Sequence, residues 1–240
     1  ITSTKKLFLW GSNAFQQLGI CQRGFNAVRR PMYVKLPRGD LPKRLSFGLR
    51  HCAILSEDHK LYIFGKLRIN DPPPSDLVIT NTSLNKANVM KIQPTCENEM
   101  RIVSVICGQN HLLLKIADLQ QQPPSCRRII ALGDNKFGQS NSFYFEEEIL
   151  QISVGWTHNA VLLKNHQLFL WGRNCYGQLG RGSVSESIPT PVELRLPNHE
   201  LVARIHLGSE HSLVRSMEGN VFTWGWNEHG NCGNSDTENV

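Results

Sequence analysis

Four histidines stand in one repeated setting, and regularly placed histidines are the first place to look for proton-transfer or metal chemistry. His51, His111, His158 and His211 each follow a glycine by three residues, namely Gly48, Gly108, Gly155 and Gly208, and each opens an apolar run. A catalytic base or a metal ligand is needed once per site. Four copies in equivalent settings point instead to a group that a scaffold uses in every unit, through hydrogen bonds that tie a strand to a neighbouring turn. Cys107 and His111 have a spacing that two metal ligands could share, but no second pair accompanies them. The chain carries no phosphate-binding Gly-x-x-x-x-Gly-Lys loop and no Gly-x-Ser-x-Gly nucleophile elbow. The expectation is no catalytic residue, no metal site and no cofactor.

The elements that carry these histidines repeat as well. Leu7–Gly19 reads LFLWGSNAFQQLG, Leu168–Gly180 reads LFLWGRNCYGQLG and Val221–Gly233 reads VFTWGWNEHGNCG, with fainter copies at Leu61–Gly65 and Ile129–Gln139. The glycines that anchor this second phrase are Gly11, Gly65, Gly133, Gly172 and Gly225. Three of them follow the Gly-x-x-His glycine at one spacing of 17 residues (48 to 65, 155 to 172, 208 to 225), and the fourth follows at 25 because the polar stretch Leu119–Arg127 is inserted. The period averages about 53 residues, in the range of propeller-like arrays. Each unit contains short strand-like runs, such as Leu45–Phe47, His51–Leu55 and Leu61–Phe64, or Ile152–Val154, Asn159–Leu163 and Leu168–Trp171. No long helical period with caps interrupts them. The pattern predicts an all-β chain, and repeated blades of three or four short strands predict a β-propeller occupying residues 1–240 as a single domain or part of one. The anchoring glycines should end strands where a side chain would strike the neighbouring blade or forbid a positive φ, and the aromatic before each should pack between blades.

Composition narrows the class further. No apolar run approaches the ~20 residues that span a bilayer. Seven cysteines, at 21, 52, 96, 107, 126, 175 and 232, form no close pair, which fits reduced thiols in the cytoplasm or nucleus. The net charge of +6 is uneven: residues 1–60 hold eleven Lys/Arg against three Asp/Glu. A basic region of this kind attracts acidic protein or nucleic acid, or is a solvated rim. No aromatic interleaving or nucleic-acid motif supports the nucleic-acid reading. The chain starts at Ile1 and stops at Val240, just after a repeat phrase, and reads as a piece of a longer polypeptide.

Gly-x-x-His followed by Trp-Gly-x-Asn-x-x-Gly-Gln-Leu-Gly, best seen in residues 155–180, resembles the repeat of the regulator of chromosome condensation family. The resemblance covers nearly the whole chain and implies a propeller, seven-bladed in the founding member, of which this chain holds about four to five repeats. Gly208–His211 and Trp224–Gly233 resemble the branch containing the secretion-regulating guanine nucleotide exchange factor and the yeast alpha-tubulin suppressor. That branch implies a protein–protein interaction module, binding a small zinc- and iron-binding electron carrier that serves diphthamide synthesis and Elongator-dependent modification of transfer-RNA wobble uridine. The alternative it implies is guanine nucleotide exchange on a Ran-like small GTPase, by a wedge and acidic residues on one face. The second unit departs from the pattern after Gly65, where Lys66–Pro74 replaces the usual tail, and the third has Ser140-Asn141 in place of Leu-Gly.

In an array, residues that break the repeat are the candidates for function. Trp226 stands where other units have Ser12, Asp134 or Arg173, and Glu228 and His229 replace Ala14-Phe15, Lys136-Phe137 or Cys175-Tyr176. Trp156 is the odd aromatic in the slot otherwise held by Leu49, Gln109 and Ser209. An aromatic beside polar groups is a common interface anchor, so Trp226, Glu228, His229 and Trp156 are the expected partner-binding residues. His158→Ala should lower the unfolding midpoint rather than remove one activity, and a variant that stays fully stable yet inactive would overturn the structural reading of the histidines.

Overall fold

The computed structural model describes residues 1–20, 26–69, 72–84, 87–234 and 237–239. Their strands form five antiparallel sheets that follow one another along the chain. The first pairs β1 (Leu7–Ser12) with β2 (Ala27–Val34). The second contains β3 (Pro42–Phe47), β4 (His51–Ser56), β5 (Leu61–Gly65), β6 (Leu77–Leu84) and β7 (Ala87–Pro94), in the order β3-β4-β5-β7-β6. The third runs β8 (Met100–Cys107), β9 (His111–Asp118), β10 (Ser125–Gly133) and β11 (Phe143–Tyr144). The fourth is β12 (Ile149–Val154), β13 (His158–Leu163), β14 (Leu168–Asn174) and β15 (Ser185–Leu194). The fifth is β16 (Val202–Leu207), β17 (His211–Ser216) and β18 (Val221–Gly225). The only helical elements among the described residues are two 3-10 turns, Pro37–Gly39 and Pro197–His199, so no described helix is long and apolar enough to cross a membrane.

The sheets stack face to face as blades because the central strands β4, β9 and β13 are apolar and buried on both sides. Side chains alternate along a strand, so one strand feeds two interfaces. In β4, Cys52 and Ile54 pack towards the first blade with Leu7, Leu9, Tyr62 and Phe64, while Ala53 and Leu55 pack towards the third with Ile102, Leu112 and Leu114. In β13, Val161 and Leu163 join Leu113, Ile129 and Trp171 between blades three and four, while Ala160 and Leu162 join Ile205, Val214 and Trp224 between four and five. The four hydrophobic clusters are therefore the four gaps between five blades. The inner strands β3, β8, β12 and β16 lie side by side along the axis.

Two expectations need correction. Gly65, Gly133 and Gly225 end their strands, but Gly11 and Gly172 lie inside β1 and β14, each at a bulge in the pairing. A Cβ on Gly172, which has φ +113°, would lie 2.5 Å from the carbonyl oxygen of Thr157 in its own blade, whereas one on Gly65 would also meet Gln17 of the first blade at 3.0 Å. The aromatic before the glycine is buried between blades at Phe64, Trp171 and Trp224, whereas Trp10 is 58% exposed because no described sheet covers that face of the first blade.

The irregular second unit also finds its reason. After Gly65 the chain forms the β6–β7 hairpin, and β7 takes the fourth position of the blade while β6 adds a fifth strand outside it. The insertion at Leu119–Arg127 runs through the connection between β9 and β10 and into the start of β10. Both departures lie away from the axis. Leu162→Ala, which empties a fully buried position between blades four and five, should cost about 2–5 kcal/mol, read as a lower denaturant midpoint at unchanged slope. Val221→Ala, at an exposed position, should change it by less than about 0.5 kcal/mol.

Candidate functional site: the loop face

The Gly-x-x-His turns come together at the axis. In each, the glycine N–H donates to the carbonyl of its own histidine, at 2.8–2.9 Å. The imidazole lies hard against the glycine: a Cβ on Gly155 would sit 2.3 Å from the ring of His158 and 2.7 Å from the carbonyl oxygen of Gly208 in the next blade. Gly48 and Gly108 repeat this, meeting His51 and Gly108 O, and His111 and Gly155 O. The residue after each glycine bonds onward to the next blade. Leu49 N–H donates to Gln109 O at 2.9 Å, Gln109 N–H to Trp156 O at 3.2 Å, and Trp156 N–H to Ser209 O at 2.9 Å.

The far ring nitrogen also crosses the blade boundary. His111 Nε2 lies 2.8 Å from Asn159 Oδ1, and Asn159 Nδ2 donates to Gln139 O at 2.9 Å. His158 Nε2 lies 3.3 Å from Ser212 Oγ, and that hydroxyl donates to Gln178 O at 2.8 Å. The Ser212–His158 pair has the atoms of a nucleophile and base, but both residues are fully buried and the hydroxyl is committed to a carbonyl, so no substrate reaches it. Burial holds these imidazoles in the neutral form. Desolvation, with a smaller push from neighbouring histidines, lowers His51 to about 4 and His158 to about 3; His111 also falls to about 4 by desolvation, against the hydrogen bond it donates to Asn159 Oδ1. Burial likewise raises the Cys107 thiol to about 12, the opposite of what a metal-binding thiolate needs. Among the described residues no three His, Cys, Asp or Glu side chains converge as a metal site. The six described cysteines are all free thiols, and Cys21 lies outside the described residues.

Sequence reasoning passed over the asparagines and glutamines that shape the neighbouring loops. Asn174 Oδ1 accepts from Leu179 N–H at 3.1 Å, and Gln178 Oε1 accepts from Tyr176 N–H at 2.9 Å. Asn13 with Gln17 and Asn135 with Gln139 repeat this closure, and Asn227 repeats the asparagine half by accepting from Cys232 N–H at 2.8 Å. The signal was their fixed place in the phrase.

Glu210 was missed altogether. It is 5% exposed, and its carboxylate accepts from Arg173 at 2.9 Å, Gln178 at 2.6 Å and Thr157 at 3.1 Å. It therefore locks blade five to blade four at the edge of the loop face. Arg173 lies over Tyr176 at 5.1 Å and Phe137 at 5.4 Å from the ring centres. Tyr176 meets Trp226 at 6.3 Å, Trp226 meets His229 edge-on at 5.2 Å, and the Trp226 indole N–H donates to Glu228 at 3.1 Å. Trp226, Glu228 and His229 thus form one cluster. Trp156 stands apart from it nearer the axis, 48% exposed. The two tryptophans share a support, since Trp156 N–H donates to Ser209 O and Trp226 N–H to Glu210 O.

Residues 165–215 and 218–240 match the family model described as the regulator of chromosome condensation (RCC1) repeat, and residues 149–178 match a second model of that description. The matched segments are similar to regulator of chromosome condensation repeats. It is 25% identical to the mouse secretion-regulating guanine nucleotide exchange factor over 273 residues, covering 100% of this chain and 55% of the relative. Among solved structures, human WBSCR16 superposes with a TM-score of 0.74 at 18% identity, covering 98% of this chain and 65% of the other. Prp20p of Saccharomyces cerevisiae, characterised for binding to Gsp1p and histones, gives 0.69 at 22% identity, covering 94% and 54%. These two likenesses establish the RCC1-type propeller fold. The chain spans about half the length of the mouse relative.

The buried histidines should make the stability of this fold fall in mild acid. A histidine held neutral in the folded state and free to protonate near 6.5 once unfolded stabilises fully above that value, and the stability is lost as pH falls towards 4. Three such groups should give a slope near pH 5 approaching three protons, about 1.4 kcal/mol per pH unit for each. Urea midpoints from pH 7 to 5 check this, a window above the carboxylate range, and His111→Gln should remove one proton from the slope.

Proposed function

We propose that this propeller is a non-catalytic docking module whose contact surface is the loop face bearing Trp156, Trp226, Glu228 and His229. One observation carries the reading. The recurring His51, His111 and His158 are fully buried, whereas Trp156, Glu228 and His229 are exposed, and the two tryptophans are anchored through their backbone N–H groups to the adjacent carbonyls of Ser209 and Glu210. Aromatic groups on a rigid frame lose little conformational entropy on binding, which suits them as anchors. The first occupant to test is the small zinc- and iron-binding electron carrier of diphthamide synthesis and Elongator-dependent wobble-uridine modification, since the last unit resembles the branch that binds it.

A second reading is guanine nucleotide exchange on a Ran-like small GTPase. It is favoured by the similarity to the mouse exchange factor along the whole of this chain. Such activity needs no nucleophile, only a surface that displaces nucleotide and magnesium.

Hydrogen exchange on the full chain with each purified candidate separates the readings. Protection of residues 154–157 and 224–230 by the carrier, with Trp226→Ala weakening affinity by about tenfold or more at unchanged stability, is the expected result. Accelerated nucleotide release from the GTPase would favour exchange instead. Protection confined to the opposite end of the blades would remove the loop face from consideration.

A further inference from the structure

The loop face follows a rule that its last unit breaks. In the other units where the loop aromatic is retained, it carries a cation from the chain itself. Arg50 lies over Phe15 at 4.9 Å, Lys136 over Phe137 at 5.0 Å with Arg173 at 5.4 Å, and Arg173 over Tyr176 at 5.1 Å. The last unit inverts the chemistry. Trp226 occupies the position of Arg173, Glu228 that of Cys175, and His229 that of Tyr176. Relative to the fourth unit, the cation Arg173 is replaced by an indole, and a carboxylate is added beside it.

Trp226 offers the strongest quadrupole of any side chain for a cation. Its N–H is tied to Glu228 at 3.1 Å, which fixes a carboxylate at the rim of the ring, and His229 closes a second side at 5.2 Å. Glu228 and His229 are exposed and Trp226 is half-buried. No described Lys or Arg nitrogen comes within 4 Å of the Glu228 carboxylate, and no described cation lies over the indole. The neighbouring Arg173 is neutralised by Glu210.

We infer that the Trp226–Glu228–His229 cluster is a receptor for one cationic side chain, an arginine or lysine, projected by a protein partner. The cation rests against the indole and pairs with Glu228, as Arg173 rests on Tyr176 and pairs with Glu210 one blade earlier. This deepens the docking reading by fixing the charge of the partner's contact residue: the complementary segment is basic, even though the chain that receives it carries a net positive charge.

The test follows the Trp226 indole N–H by NMR in the full chain. The probes are a capped Gly-Ser-Arg-Ser-Gly peptide, its Lys counterpart and its Glu counterpart. Saturable shifts of that resonance with the Arg and Lys peptides and none with the Glu peptide are expected. Glu228→Gln should weaken binding by about fivefold or more and flatten its salt dependence. The tryptophan resonances of the remaining blades should stay in place, showing that the variant is folded. Equal response to the acidic peptide, or no response to either basic one, would overturn the inference. So would a contact in the free protein between the indole and an arginine or lysine of its own chain. Loop-face protection by a partner could still be observed in each of those cases, so the docking reading would fail separately.

Discussion

An imidazole pressed against a bare glycine is the contact on which this array depends. It lets the next blade's carbonyl approach to where a side chain would otherwise be, as at Gly155 beneath His158 and beside Gly208. Once that approach is made, the neighbouring residue can bond across the gap from Leu49 to Gln109, Trp156 and Ser209. The same closeness buries the imidazoles, and burial keeps them neutral. A residue type known for catalysis is thereby held in a state that serves packing. The geometry also explains why alanine is not a substitute for the glycine: one methyl group would have to displace either the ring or the next blade.

The blade interfaces and the axis divide the labour. Large apolar areas between sheets supply the bulk of the stabilisation, while the few polar contacts at the inner ends fix the register of one blade on the next. His111 with Asn159 and His158 with Ser212 do this by reaching the residue that follows the next histidine. His51 faces Leu112 at that position, and neither of its ring nitrogens has a partner among the described residues. The second-to-third boundary relies on other contacts, including the bond from Cys107 N–H to Ser46 Oγ at 2.9 Å.

Much of this was legible in the residues. Identical spacings from Gly48 to Gly65, Gly155 to Gly172 and Gly208 to Gly225 fixed the unit, and the apolar runs after each histidine fixed strands covered on both faces. The exceptional Trp226, Glu228 and His229 stood out against the repeat, and they are gathered in one cluster. Glu210 did not stand out, because its neighbours in the equivalent slot, Arg50, Asn110 and Thr157, are polar too, and only its burial reveals the lock on Arg173. The β6–β7 hairpin was hidden for a different reason. Its strands carry no repeat phrase, and their place outside β5 is a matter of pairing rather than of pattern. The glycines inside β1 and β14 show that a positive φ can mark a bulge within a strand as readily as its end.

The backbone hydrogen bonds that link the Gly-x-x-His turns all run one way. From Leu49 onward, each blade gives its N–H to the carbonyl of the blade that follows. A row built so has a head and a tail, like a zip whose two ends carry different fittings. Any blade added to this row in the same register must keep that polarity, giving its N–H onward and its carbonyl back.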